Sequence, residues 1–302
     1  MSYYGQLGKL ILPKRETADW WDPRAPWERS GGYLYKVRKV PPRNPHVYAA
    51  VYNGDIYVQY YGQGPFLATG QTPRAWRYLA VHPNGDVYAL IPNEIYKQTG
   101  GMGPFESLGQ GLDLSALAIA PNGDVYATPT VSGPLKPVYK QTGGVGNFEV
   151  YNPIPPEQYH TCVAVHPNGD VYLGVGHNNG TSFLRHTPGI SGVTVVGGTP
   201  ITTWAWGYMC ITPRGSIYVS HRPDALDELR ELSWQQYSAG AWSKIYTNPT
   251  NTERMTYLCA TRDESVYMRK GTTVMKRTGG VGDFEEITGV PAGLGCFASQ
   301  LY

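Results

Sequence analysis

Apolar side chains recur along this chain in short alternating bursts. Leu79 and Val81 fall on one face of an extended segment and Ala80 on the other, and Leu117/Ile119, Val163/Val165 and Met209/Ile211 keep the alternation. A period of two over so few residues predicts short strands. Because the alternate face is also apolar, each strand is expected to lie sandwiched between neighbouring sheets. The bursts are copies of one another. Ala80-Val-His-Pro-Asn-Gly-Asp-Val-Tyr-Ala89 returns as Ala118-Ile-Ala-Pro-Asn-Gly-Asp-Val-Tyr-Ala127 and as Ala164-Val-His-Pro-Asn-Gly-Asp-Val-Tyr-Leu173. Cys210-Ile-Thr-Pro-Arg-Gly-Ser-Ile-Tyr218 and Cys259-Ala-Thr-Arg-Asp-Glu-Ser-Val-Tyr267 are weaker copies, and Pro45-His-Val-Tyr48 is half of one. The Val/Ile-Tyr pair starts at 47, 87, 125, 171, 217 and 266, at intervals of 40, 38, 46, 46 and 49.

A second element follows each pair: Asp55-Ile-Tyr-Val-Gln59, Glu94-Ile-Tyr-Lys-Gln98, Val138-Tyr-Lys-Gln141 and, more faintly, Val274-Met-Lys-Arg-Thr278. A glycine turn then leads to Phe66, Phe105, Phe148 or Phe284; the fourth and fifth repeats blur here, with Val193 and Trp242 near that slot. Each repeat thus reads as four strands, a to d. Pro-Asn-Gly joins a to b, and Gly-Gly-x-Gly joins c to d, since Asn and Gly tolerate positive φ. Four strands per repeat at this period is the arithmetic of a propeller blade; a β-solenoid would repeat sooner.

Six b strands are present but only five complete a strands, so a sixth must come from elsewhere. Leu294-Gly-Cys-Phe-Ala-Ser299 resembles an a strand, and the chain stops at Tyr302, where a b strand would begin. The expectation is a six-bladed β-propeller over residues 46–302, closed by its C-terminal strand against His46–Val51. Tyr33–Val40 is the rival donor.

Composition agrees with strands and turns. Gly and Pro together make 62 of 302 residues, Tyr reaches 24, and charged residues are only 16% against roughly a quarter in average domains. Aromatic residues at 13% argue against disorder. No apolar run approaches the roughly 18 residues of a membrane span, and residues 1–30 do not read as a signal peptide. A net charge of +2 exerts no general pull toward nucleic acid.

Candidate chemistry is sparse. The cysteines lie 48, 49 and 37 residues apart with no C-x-x-C, and Cys210, Cys259 and Cys296 are aligned with Ala80, Ala118 and Ala164, as small buried side chains. His82 and His166 share a repeat position, which favours structure over catalysis. Asp86, Asp124 and Asp170 read as turn residues bonding local backbone. Asp224, Asp227 and Glu228, the nearest acidic group, read as a solvated loop or short capped helix. No sialidase-type S-x-D-x-G-x-T-W box, Ser/His/Asp order, P-loop or dinucleotide fingerprint is present. Neither a catalytic residue, a metal site nor a cofactor is expected, and the chain reads as a non-enzyme.

The a–b and c–d turns are short and alike, whereas the d–a and b–c connections at the opposite end vary widely. Variable loops on a rigid scaffold are where binding resides. The candidate binding residues on that loop face are Arg74, Trp76, Tyr159, Trp204 and Trp206. Trp76 and Trp206 share one repeat slot on opposite sides of the ring, and each either packs at the rim or forms an exposed platform for a sugar or a partner.

Residues 1–45 carry no convincing repeat. Nine Lys/Arg against four Asp/Glu make this arm +5 and leave the remainder −3. Prolines around Trp20, Trp21 and Trp27 predict an extended, irregular arm. Those tryptophans are its natural anchors, and Leu10, Ile11 and Leu12 could add a strand to a neighbour's sheet edge.

The phrase Ile-Tyr-Lys-Gln-Thr-Gly-Gly-x-Gly-x-Phe, followed by Pro-Asn-Gly-Asp-Val-Tyr-Ala, resembles repeats of tailed-bacteriophage virion proteins. The resemblance covers about residues 46–290, is strongest at 86–172, and departs in strands c and d of the fourth and fifth repeats. It implies a structural module of a tail, fibre or other appendage, assembled in the host cytoplasm into the virion. Partners would be other virion proteins in multiple copies, and a host surface glycan or protein for receptor binding. A carbohydrate-binding propeller lectin is the alternative.

Overall fold

The computed structural model describes residues 46–130, 137–154, 159–177, 180–196, 206–221, 231–235, 242–247 and 255–301, together with two strands of the arm. The chain divides into two compact units, 1–43 and 44–302. In the first, Trp27–Ser30 pairs antiparallel with Tyr33–Lys36, Trp27 opposite Lys36. This corrects the expectation of a wholly irregular arm. The sequence step Gly31-Gly32 between alternating aromatic segments is a two-residue hairpin signal.

In the second unit, repeats two to six each fold into a four-stranded antiparallel sheet, with strands in sequence order. Repeat two is typical: Tyr78–Val81, Val87–Ile91, Glu94–Gln98 and Glu106–Ser107. The fourth and fifth repeats, blurred in sequence, supply their third strands at Gly180–His186 and Glu231–Gln235. The remaining sheet departs from the four-strand rule. Its order is Leu294–Ser299, Val47–Gly54, Ile56–Gln59, Leu67–Ala68, and a fifth strand, Arg74–Ala75, also pairs with the end of Val47–Gly54. The C-terminal strand therefore lies against the first repeat, while the rival segment Tyr33–Lys36 pairs with Trp27–Ser30.

Register corrects one alignment. Ala298 lies opposite Tyr48, as Ala80 lies opposite Tyr88 and Cys210 opposite Tyr218. Ala298, and not Cys296, holds the small-residue slot shared with Cys210 and Cys259. Cys296 lies two residues earlier, opposite Ala50, after the unpaired Gly295 of a bulge like those in the inner strands of repeats three to six.

The core lies between sheets. Ala80, Tyr88, Leu90 and Ile95 of the second repeat pack on Leu117, Ile119, Val125 and Phe148 of the third. At the seam joining the chain ends, Phe297 and Leu294 pack with Phe66, Val47, Tyr267 and Val274. The inner strands surround a central channel of about 90 Å³, narrowed by the ring of Ala80, Ala118, Ala164, Cys210, Cys259 and Ala298. Small side chains are needed there because the inner strands come close together around the channel.

Candidate functional site

The residues that recur most faithfully are used to bind turn to turn and sheet to sheet. Gly85, Gly123, Gly169 and Gly215 take φ of 85 to 94° in the a–b turns, so glycine supplies the left-handed step. Asn84 contributes its side chain instead, accepting from the Asp86 N–H at 2.9 Å and donating to Asp86 Oδ2 at 3.0 Å. Asp86 reaches beyond its own turn, which sequence reasoning missed. It accepts from Gly100 N–H in the c–d turn at 2.7 Å and pairs with Lys97 at 2.7 Å. Asp124 repeats this with Gly143 N–H at 2.9 Å and Lys140 at 2.7 Å. The recurring Asn-Gly-Asp and Lys-Gln-Thr-Gly-Gly motifs thus form a clamp between the two turns of one blade, although the number of residues between them differs.

Burial opposes ionisation of Asp86, but Lys97, the Gly100 N–H and Asn84 outweigh it and hold the carboxyl below its ordinary range. Asp124 is held down in the same way, by Lys140, Gly143 and Asn122 against burial. A lowered folded-state pKa contributes stability that is complete above the unfolded value of about 4 and is lost as pH falls through the folded value. Replacing both with Asn should lower the melting temperature at pH 7 and flatten its decline below about pH 4. Parallel acid limbs in melting curves of both proteins would refute the clamp.

His82 is structural. Its Nδ1 accepts the Asn84 N–H at 3.2 Å, leaving Nε2 as the donor to the Gly123 carbonyl of the next repeat at 2.8 Å. Gln300 does the same for the closing strand, donating to the Pro83 carbonyl. All four cysteines are buried free thiols. Burial pushes Cys259 up to about 12 and Cys210 well above its ordinary value, so neither is a thiolate nucleophile at neutral pH. Among the described residues, no three His, Cys, Asp or Glu converge on a metal position.

On the loop face, Arg74 lies on the fifth strand of the five-stranded sheet with its guanidinium 4.6 Å from the Tyr96 ring centre. Trp76 is 1% exposed and is not a platform. It packs on Tyr96 and Phe105, with ring centres 5.6 and 5.5 Å away, and its indole N–H donates to the Gly54 carbonyl at 3.1 Å. Tyr159 opens one inner strand and Trp206 another, but their side chains lie outside the described residues. So do Trp204, the acidic group at 224–228, and the arm residues Leu10, Ile11, Leu12, Trp20 and Trp21, as does the Trp27 side chain.

The loop-face mouth of the channel carries a group that sequence reasoning did not single out. Tyr78 and Tyr208 stand two residues before Ala80 and Cys210, and Tyr257 stands two before Cys259. Their common repeat slot was the available signal. The Tyr208 and Tyr257 rings are 4.4 Å apart. Tyr257 is the unpaired residue of a bulge and has φ 51°, an unusual conformation for an aromatic residue. Burial raises the pKa of Tyr208 and Tyr78. It raises that of Tyr257 too, against the opposing pull of Arg269 and Arg77. The three phenols thus stay neutral, with Arg269 and Arg77 within electrostatic reach of Tyr257.

No family model matches the chain, and no curated protein does. Solved structures do. A chain of a nidogen/laminin complex is similar over 84% of this chain and 97% of its own length, with TM-score 0.67 and 8% identity. TolB from Acinetobacter baumannii is similar over 84% of this chain and 66% of its own, with TM-score 0.64 and 13% identity. At such identities the likeness shows the fold alone: an all-β propeller built of four-stranded blades.

Proposed function

We propose that this chain is a non-enzymatic structural protein of a tailed-phage virion. The propeller is a rigid platform, the arm attaches it to neighbouring virion proteins in a multi-copy assembly, and the loop face meets a protein or host receptor. The five-stranded sheet counts as the sixth blade, closing the ring with the last strand. The observation that carries the scaffold reading is that the repeated polar residues are spent on the frame: Asp86, Asp124 and His82 bond turns and neighbouring repeats. The virion setting rests on the repeat phrase. The loop-face mouth, with Tyr78, Tyr208, Tyr257, Arg77 and Arg269, is the contact surface this reading favours.

The test is deletion of residues 1–44. The second unit has its own core, so the truncated protein should melt within a few degrees of the full chain. Ordering an arm residue costs roughly 1–2 kcal/mol of backbone entropy, which contacts with a partner would offset. The truncated chain should therefore stay out of assembled particles while remaining folded. Normal incorporation would end the docking role, and unfolding would assign the arm to the propeller's core.

A further inference from the structure

Neighbouring repeats are joined by a recurring bond from a b-strand tyrosine to the last c-strand side chain of the next repeat. Tyr88 Oη lies 2.9 Å from Gln141 Oε1, and Tyr267 Oη lies 3.1 Å from Gln59 Oε1. Arg277 fills the glutamine slot by donating to Tyr218 Oη at 3.2 Å. In each case the amide or guanidinium also donates to a glycine carbonyl of its own turn, as Gln141 does to Gly146 at 2.6 Å. Between the first and second repeats the same two residues are present, Tyr48 and Gln98. Gln98 donates to Gly103 at 2.6 Å, but its Oε1 is buried without a hydrogen-bond partner, in a side chain only 3% exposed.

That junction opens into a crevice of about 700 Å³, whose lining includes His46, Tyr48, Tyr60, Gln71, Gln98 and Met102. Among the described residues, no Lys, Arg, Asp or Glu lines it. Its edge is built differently from the other junctions. Thr-Gly-Gly in the second, third and sixth repeats is replaced by Tyr60-Tyr61-Gly62. Tyr61 adopts φ 56°, where Gly100, Gly143 and Gly279 have 60 to 61°. A side chain with a Cβ is strained there, and strain of this kind persists at positions kept for function. His46 stands 4.9 Å, ring centre to ring centre, from both Tyr60 and Tyr61. Its Nδ1 accepts the Tyr61 N–H at 3.3 Å, so the neutral ring carries its proton on Nε2. Tyr60 is 49% exposed.

An unpaired buried acceptor, an imidazole donor and an open aromatic face in an uncharged crevice are complementary to one chemical class. We propose that this crevice binds a neutral saccharide: a pyranose hydroxyl donates to Gln98 Oε1 while the sugar's C–H face lies on Tyr60. Its volume is within the usual range of small-ligand sites, roughly 300–1,000 Å³. The site lies away from the loop-face mouth and does not depend on the virion setting, so either reading can fail alone.

The experiment is saturation-transfer NMR of the full chain with methyl pyranosides of glucose, galactose, mannose and N-acetylglucosamine, and of glucuronic acid as the charged control. The neutral glycosides should give a signal, at least one strongly, and the glucuronide none. Gln98→Met should weaken the best binder by about tenfold or more, the effect of losing one buried hydrogen bond. Tyr60→Ala, at an exposed tip, should weaken it similarly with an unchanged melting temperature. Tyr61→Gly should raise the melting temperature and lower affinity together. Absence of any neutral binder overturns the proposal. So does preference for the glucuronide, or neutral binding that survives both Gln98→Met and Tyr60→Ala.

Discussion

A chain truncated after Val290 should lose cooperative folding and associate with itself. The missing segment includes Leu294, Cys296, Phe297 and Ala298, each at most 5% exposed. Burying Leu294 and Phe297 alone contributes roughly 1.5–3 kcal/mol each. The strand also pairs with Val47–Gly54 over five registered positions, and its backbone hydrogen bonds add about 0.5–1.5 kcal/mol apiece. The total is comparable with the whole stability of an ordinary domain, about 5–15 kcal/mol. Truncation would also bare the inner edge of Val47–Gly54, a row of unpaired donors and acceptors that other chains can add to. Thermal melting and light scattering of the two proteins decide this. A monodisperse truncated protein with an unchanged melting temperature would show that the last strand closes nothing.

Trp76→Ala should be nearly as damaging, by about 3–5 kcal/mol, the usual range for removing a large buried aromatic side chain. The ring is sealed between Tyr96 and Phe105, and its N–H is the donor at the Gly54 carbonyl. Trp76→Phe keeps part of the packing but leaves that carbonyl unpaired, so a smaller loss of about 1–3 kcal/mol is expected. Chemical denaturation of the three proteins gives the ranking directly. A tryptophan that served only as a surface platform would give equal midpoints for all three.

The truncation and the Trp76 substitutions mark where sequence reasoning was strong and where it ran out. Strands were legible because alternation and repetition report the same thing: Leu79, Val81 and their copies must face neighbouring sheets, whatever the details of closure. The C-terminal strand was legible because an orphan b strand at Val47 needs a partner. The exposure of Trp76 was not, since a rim position is open or closed according to how the next sheet packs. The alignment of Cys296 failed for a related reason. Cys296 stands two residues before the true slot, and only the pairing of Ala298 with Tyr48 shows which residue fills it.

By itself, then, the sequence determined the unit and its period: four short strands, two glycine turns and an apolar inner strand, because local periodicity and turn chemistry are properties of neighbouring residues. The tertiary structure alone decided which turns, strands and repeats are tied together. Asp86 became a clamp to Lys97 and the c–d turn only when a strand 11 residues away came alongside. Tyr208 and Tyr257, from separate repeats, met with ring centres 4.4 Å apart only when their inner strands came side by side. The unpaired oxygen of Gln98 shows only against the junctions where the same bond is made. Such contacts, within one repeat or between repeats, depend on which strands come side by side, and no local pattern of residues reports that.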